Sequence, residues 1–222
     1  VLRSDLRPGD ILLLEDTPDN TTVKHKGIRF GQRLTSFKFW RRNKGQTSLV
    51  HALLWIGNGY SDRPDVAEAS GSGKVRTSRL PYGTYKVYSC TNSDLAASAA
   101  DAATNWAKGG MINYAKGKAL SSVFRSDKGA THGLNRAQTY GNEIADSAPA
   151  WGQGGAFCSE FIVACYQAAA VHLGMQLQGD LLQCDAKHCS VRALHDRLFR
   201  DSEFKLAGYL DYDVKDMVGH DK

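Results

Sequence analysis

At 222 residues, with 42% apolar and 23% charged side chains, the chain has material for one well-buried domain and no linker of the kind that separates two. No run approaches the roughly 18 apolar residues of a membrane span, and no signal peptide opens the chain. The start at Val1 leaves room for a removed leader and for a secreted or periplasmic protein. The net charge of +5 is local: eight of the 28 cations lie between Val23 and Gly45 with no acid among them, and the other 20 are outnumbered by 23 acids. Phe30, Phe37, Phe39 and Trp40 interleave with these cations. The pattern suits an anionic surface, wall polymer or lipid, met by Lys24, Arg29, Arg33, Lys38, Arg41 and Arg42. A solvated basic helix with its rings in the core explains it equally well. With no RNA-binding or zinc-finger signature beside the charge, no nucleic-acid partner is expected.

Arg7-Pro8-Gly9-Asp10 is a turn into a buried strand, Ile11 to Leu14. Ile28 to Trp40 has loose helical spacing and predicts a short amphipathic helix or two. Leu49 to Ile56 reads as a strand apolar on both faces, ended by Gly57-Asn58-Gly59, and Val66 to Ser70 should pair with it as a hairpin. Gly71-Ser72-Gly73-Lys74 imitates a phosphate loop, but Glu68 stands where the first glycine belongs and Val75 where the magnesium-binding hydroxyl belongs, so it is a hairpin turn. Tyr85 to Cys90 is another strand. Asn92-Ser93-Asp94 offers caps for an alanine-rich helix over Leu95 to Lys108, which Gly109-Gly110 ends.

Ser121 to Gly155 is rich in Gly, Ser, Asn and Ala with weak periodicity, and predicts a long loop or a helical insertion in which His132 is a surface residue. Cys158 to Leu173 is a helix whose apolar face runs through Phe161, Ile162, Cys165, Ala168 and Ala169. A helix over Val191 to Phe199 and an edge strand over Phe204 to Tyr209 close the chain. The five cysteines, Cys90, Cys158, Cys165, Cys184 and Cys189, are too few and too irregular for a disulfide framework. Cys184 and Cys189, near His188 and His195, match no zinc-ligand spacing, so no metal is expected; whether they are bridged stays open.

Three residues are out of place unless they do chemistry. Cys158 follows the glycine-bearing stretch Trp151 to Phe157 and starts a helix, where unpaired amides and the positive helix end favour thiolate and can hold an oxyanion. His51 sits within an apolar strand, where an imidazole is costly without partners. Glu68 lies between Val66 and Ser70 on the neighbouring strand, within reach of that imidazole. Singly, each is as well explained as a packed or satisfied core residue. Together they have the composition of a nucleophile, a base and an orienting carboxylate.

The order Pro8-Gly9-Asp10-Ile11-Leu12, the basic-aromatic stretch, Val50-His51-Ala52 with Trp55-Ile56-Gly57-Asn58-Gly59, Val66-Ala67-Glu68-Ala69, then Phe157-Cys158-Ser159-Glu160-Phe161 resembles the circularly permuted NlpC-like branch of the papain fold. This is the group of YiiX-like proteins and lecithin:retinol acyltransferase relatives, in which the histidine strand precedes the cysteine helix. The likeness runs from about Leu6 to Leu210. It implies an α+β, papain-like fold: one permuted domain over residues 1–222 with an insert at about 121–155, in which a small antiparallel sheet packs against helices including the nucleophile helix. It further implies Cys158 as nucleophile, His51 as base and Glu68 as third member. Tyr114, Phe157 and Ser159 are the candidates for holding oxyanion or substrate, although Ala115 stands where the family pattern has an acid after the tyrosine.

The expected activity is therefore a cysteine hydrolase without cofactor, working through a thioester. Its first-choice substrate is a peptide amide of bacterial peptidoglycan, cut by a secreted antibacterial effector with an immunity or inhibitor protein as partner. The rivals are a lipid acyl hydrolase or acyltransferase using the same site, and a binding module in which Cys158 is packing.

Overall fold

Apolar side chains at alternate positions, with β-branched and aromatic residues among them, lay down a sheet that helices cover. The computed structural model describes residues 1–16, 48–57, 64–70, 73–110, 112–115, 130–145 and 155–213. It is an α+β structure: β1 (Ile11–Asp16), β2 (Ser48–Trp55), β3 (Val66–Ala69), β4 (Val75–Ser78), β5 (Gly83–Cys90), α1 (Ser93–Gly109), α2 (Ala130–Ala145), α3 (Cys158–His172), α4 (Val191–Arg200) and β6 (Phe204–Tyr212). The strands form one antiparallel sheet in the order β4-β3-β2-β1-β5-β6. The basic-aromatic segment, its expected helices and its six cations lie outside the described residues.

Period-two alternation divides the sheet into two faces. Ile11, Leu13, Ala52, Leu54, Ala67, Ala69 and Tyr88 point into the core shared with the helices, while Leu12, Leu14, Leu53, Trp55, Val66, Tyr85 and Val87 form a second cluster with Leu6, Leu80 and Leu210. The predicted pairing of β2 with β3 is present, and β3 pairs in turn with β4, a strand absent from the sequence expectation. Gly73, at φ 116°, has the left-handed backbone that glycine adopts freely. β6 is an edge strand, as expected, and runs on past Tyr209 to Tyr212.

The cap of α1 is one the sequence offers, and α4 has a side-chain cap as well. The Asn92 side chain accepts from the amides of Asp94 and Leu95 at the start of α1, and Ser190 accepts from Ala193 at the start of α4. The insert contains a helix, α2, which packs against α3. Tyr140 of α2 meets Trp106 of α1 edge-on, and exposed His132 lies at its start. The expected helix α3 is present with its apolar face buried, and the burial extends to every residue from Cys158 through Ala170, among the other helices and the sheet. Its polar residues are held from distant parts of the chain. Tyr166 Oη donates to the Gly9 carbonyl, and Gln167 Nε2 donates to the carbonyls of Leu182 and Cys184. Cys184 and Cys189 are buried and carry free thiols. Among the described residues no helix is long and apolar enough to cross a membrane.

Candidate active site

Two irregularities in the sheet shape the site. Leu14 pairs with His51 but Glu15 pairs with Leu49, so Val50 is bulged out immediately before the histidine. Such bulges bend a strand and re-aim the neighbouring side chain. The second irregularity lies on the other side of β2, where pairing with β3 covers only Leu54↔Ala67 and Trp55↔Val66. The Trp55 amide donates to Asp10 and the Ile56 amide to Asp65, so even-numbered amides of β2 point toward β3. The Ala52 amide therefore enters the unpaired gap, where it helps lower the Cys158 pKa.

Cys158 opens α3, and its N-cap, Phe157, supplies no side-chain hydrogen bond, so the first amides of the helix are left for other acceptors. His51 first, then the Ala52 and Ser159 amides, act on this thiol and favour its thiolate. Cys158 is only 6% exposed, yet an imidazole and two N–H groups favour its charged form.

On the far side of the imidazole, His51 Nε2 lies 2.7 Å from Glu68 Oε2, which leaves Nδ1 for the thiol. The carboxylate is buried, with its other oxygen occupied: Glu68 Oε1 accepts from Arg76 Nε at 3.1 Å, Arg76 Nη2 at 3.0 Å and Ser78 Oγ at 3.2 Å. Strand register explains the clamp, because Glu68 stands directly opposite Arg76 and Val66 opposite Ser78 on one face of the β3–β4 hairpin.

The charges follow from this arrangement. Burial acts to lower the His51 pKa, but the Cys158 charge and hydrogen bond, followed by Glu68, outweigh it and push the imidazole up to about 10. Burial acts to raise Glu68, and His51 and then Arg76 hold it down at about 2. Burial likewise opposes the Cys158 thiolate, but His51 and the two amides bring the thiol below its ordinary value. Sulfur and ring therefore favour the thiolate–imidazolium pair, a charge state ready for nucleophilic attack.

Backbone bonds tie the elements carrying these groups together. Val75 N donates to Ile112 O, Tyr114 N to Gly73 O, Ala156 N to Asn113 O and Ala115 N to Ala156 O, each at 2.8 to 2.9 Å. The hairpin with Glu68 is thus linked through residues 112–115 to a point two residues before Cys158. Gly155, at φ 58°, permits the last link, since a Cβ there would run into the Asn113 carbonyl.

The structure brings together Cys158, His51 and Glu68, which lie far apart in sequence. Tyr114 is half-buried; burial first, then the negative charges of Cys158 and Glu68, push its hydroxyl upward. It belongs to the site's surroundings. Phe157 and Ser159 fit the expected substrate role poorly as side chains: the phenylalanine is buried in the core, and Ser159 Oγ donates to Cys189 O at 2.6 Å. What Ser159 contributes is its amide. Sequence reasoning missed Arg76, Ser78 and the Ala52 amide. The hairpin turn was the available signal, because counting back from it places residue 76 opposite residue 68. Among the described residues, no three His, Cys, Asp or Glu side chains gather as a metal ion would require.

No protein-family model, no curated protein and no solved structure matches this chain.

Proposed function

We propose that the chain is a cysteine hydrolase of permuted NlpC-like, papain-type fold that cleaves a peptide amide through a thioester. The observation that carries this reading is the continuous set of contacts from Cys158 through His51 to Glu68, with the thiol pKa lowered and the imidazole pKa raised. Chain order supports the family reading, because the histidine strand precedes the cysteine helix.

In this mechanism Sγ of the thiolate attacks the carbonyl carbon, and the amides at the start of α3 receive the oxyanion. His51 gives its proton to the leaving amine nitrogen as the C–N bond breaks, leaving a thioester on Cys158. Water then attacks that thioester, neutral His51 takes its proton, and the acid departs as Sγ returns to thiolate. Glu68 keeps the ring oriented and stabilises it when protonated. No cofactor takes part in these steps. We assign the substrate to peptide amides of bacterial peptidoglycan, the role to a secreted antibacterial effector and the docking of anionic wall polymer to the basic segment around Arg29 to Arg42. An immunity or inhibitor protein would be its partner.

The test is incubation with purified peptidoglycan and, separately, with phospholipid vesicles. New primary amines from the wall, lost in Cys158→Ala and His51→Ala, support the proposal. Release of fatty acid alone reassigns the site to lipid acyl chemistry. A Cys158 that alkylates like an ordinary thiol, unaffected by His51→Ala, makes the protein a binding module.

A further inference from the structure

We propose that Arg76 is a positioning residue of this site: by clamping Glu68 Oε1 with two N–H groups it fixes the carboxylate in the orientation that presents Oε2 to His51. The inference rests on the cysteine-hydrolase reading and adds to it a residue outside the three-membered set.

A carboxylate on a side chain with three rotatable bonds can offer either oxygen, in several directions, to a neighbouring ring. Here the choice is removed. Arg76 Nε and Nη2 both reach Oε1, and Ser78 Oγ reaches the same atom, so Oε2 is the oxygen left for His51 Nε2. After His51, the Arg76 guanidinium is the next cause that keeps so deeply buried an acid ionised. The donors are part of the sheet's register, since Arg76 faces Glu68 and Ser78 faces Val66 across one four-residue ladder. The far edge of β4 is fastened in turn by Val75 N to Ile112 O and Tyr114 N to Gly73 O, which keeps the arginine's strand from drifting.

Half of the Arg76 side chain is exposed, whereas Glu68 is almost fully covered. A purely structural ion pair would gain little from an arginine so placed, because solvent screens its charge. Two directed N–H groups are worth more as geometry, and the guanidinium's planar fork supplies them in a way an ammonium cannot.

The other groups around Glu68 leave this role to Arg76. His51 on β2 is the group being oriented, and Cys158 on α3 lies beyond it. Tyr85 on β5 and Tyr114 in the 112–115 segment both feel the carboxylate's charge, but no phenol proton is given to it: Tyr85 Oη donates to Pro81 O instead. Among the described residues, the cation at Glu68 other than the His51 ring itself comes from β4.

The experiment measures the rate of iodoacetamide alkylation of Cys158 against pH in the full chain, for wild type, Arg76→Met, Arg76→Lys and Ser78→Ala, with melting temperature recorded for each. Loss of the clamp removes a nearby positive charge and lets Glu68 protonate or turn away from the ring. Both effects disfavour the thiolate, so the acid limb should move upward by about one pH unit in Arg76→Met, a tenfold loss of rate on that limb. Arg76→Lys should recover the charge but not the fork, and fall between. Ser78→Ala, which removes one neutral donor, should move the limb least. An Arg76→Met profile superimposed on wild type overturns the inference even if the melting temperature falls. Should Arg76→Met fail to fold, Arg76→Lys decides: a limb at the wild-type position overturns the inference. A wild-type thiol with an ordinary profile, unmoved by His51→Ala, is the separate failure of the hydrolase reading, and takes the inference with it.

Discussion

His51 Nε2 and Glu68 Oε2 are 2.7 Å apart, with the carboxylate 3% exposed and the imidazole side chain 15%. At that burial their contact contributes to folding as well as to chemistry, so stability should report on it. Glu68 is held at about 2 against an ordinary 4.5, so its contribution is complete above pH 4.5 and is lost as pH falls through about 2. His51 is raised from 6.5 to about 10, so its contribution is complete below pH 6.5 and is lost as pH rises through about 10. Glu68→Gln should therefore be less stable than wild type by about 2 kcal/mol between pH 4.5 and 6.5, the scale of a hydrogen bond to a charged group. The deficit should shrink toward both extremes. Urea unfolding across pH checks this, and a deficit constant from pH 2 to 10 would rule the linkage out.

Alkylation should select one thiol of five. At pH 6 iodoacetamide is expected to modify Cys158 and to leave Cys90, which burial pushes up to about 11, and Cys165, which burial also raises. His51→Ala should slow that single reaction by at least about tenfold, since below its pKa each unit of upward shift removes a factor of ten in thiolate. Peptide mass spectrometry of native and denatured protein reads the outcome, with all five cysteines reacting once the chain is unfolded.

The parts of this structure that were legible in sequence are those whose signal is local. Asn92 and Gly110 bound α1, and the continuous apolar runs at β1 and β2 and the alternating run at β5 appear where expected. β4 was not legible because Val75-Arg76-Thr77-Ser78 has a single apolar residue and becomes a strand by pairing with β3 on one side and Ile112 on the other. α2 carries Gly133 and Gly141, poor helix formers, and owes its existence to packing. At those glycines a Cβ would run into the Gln183 carbonyl and the Val171 side chain, so the same residues that weaken the helix signal allow its close docking. The site divides along the same line. His51 and Glu68 stood out as polar groups in apolar strands and Cys158 by its place at a helix start, whereas Arg76 looks like any surface arginine until strand register places it opposite Glu68.

The fastening of α2 should depend on one buried acid. Asp185, fully buried, receives Arg136 Nε of α2 at 2.7 Å on one oxygen and lies 2.7 Å from His188 Nδ1 on the other. Burial acts to raise its pKa, but His188 and Arg136 hold it below the ordinary value. Its contribution is therefore complete above pH 3.8 and is lost as pH falls through the lower folded value. Asp185→Ala strands a cation beside the core and should cost about 3 kcal/mol at neutral pH. Hydrogen exchange should show the amides of α2 losing protection before those of α1. Equal loss in both helices would mean that Asp185 supports the core at large rather than this docking.

The last prediction separates backbone strain from a broken contact at the site. Gly110 and Gly155 have nearly the same left-handed φ, 61° and 58°, so an alanine meets comparable strain of about 1 kcal/mol at each. Their surroundings differ: a Cβ at Gly110 enters open space, whereas one at Gly155 meets the Asn113 carbonyl that accepts from Ala156. Gly110→Ala should lower the stability of the chain slightly and leave Cys158 alkylation at its wild-type rate. Gly155→Ala should lose more stability and also slow alkylation at pH 6, because the displaced segment leads three residues later into Cys158 and the first amides of α3. Parallel urea titrations and alkylation rates on the two variants check this. If the two variants lose stability equally and both keep full thiol reactivity, the link from the Glu68 hairpin through Asn113 does not hold the nucleophile in place.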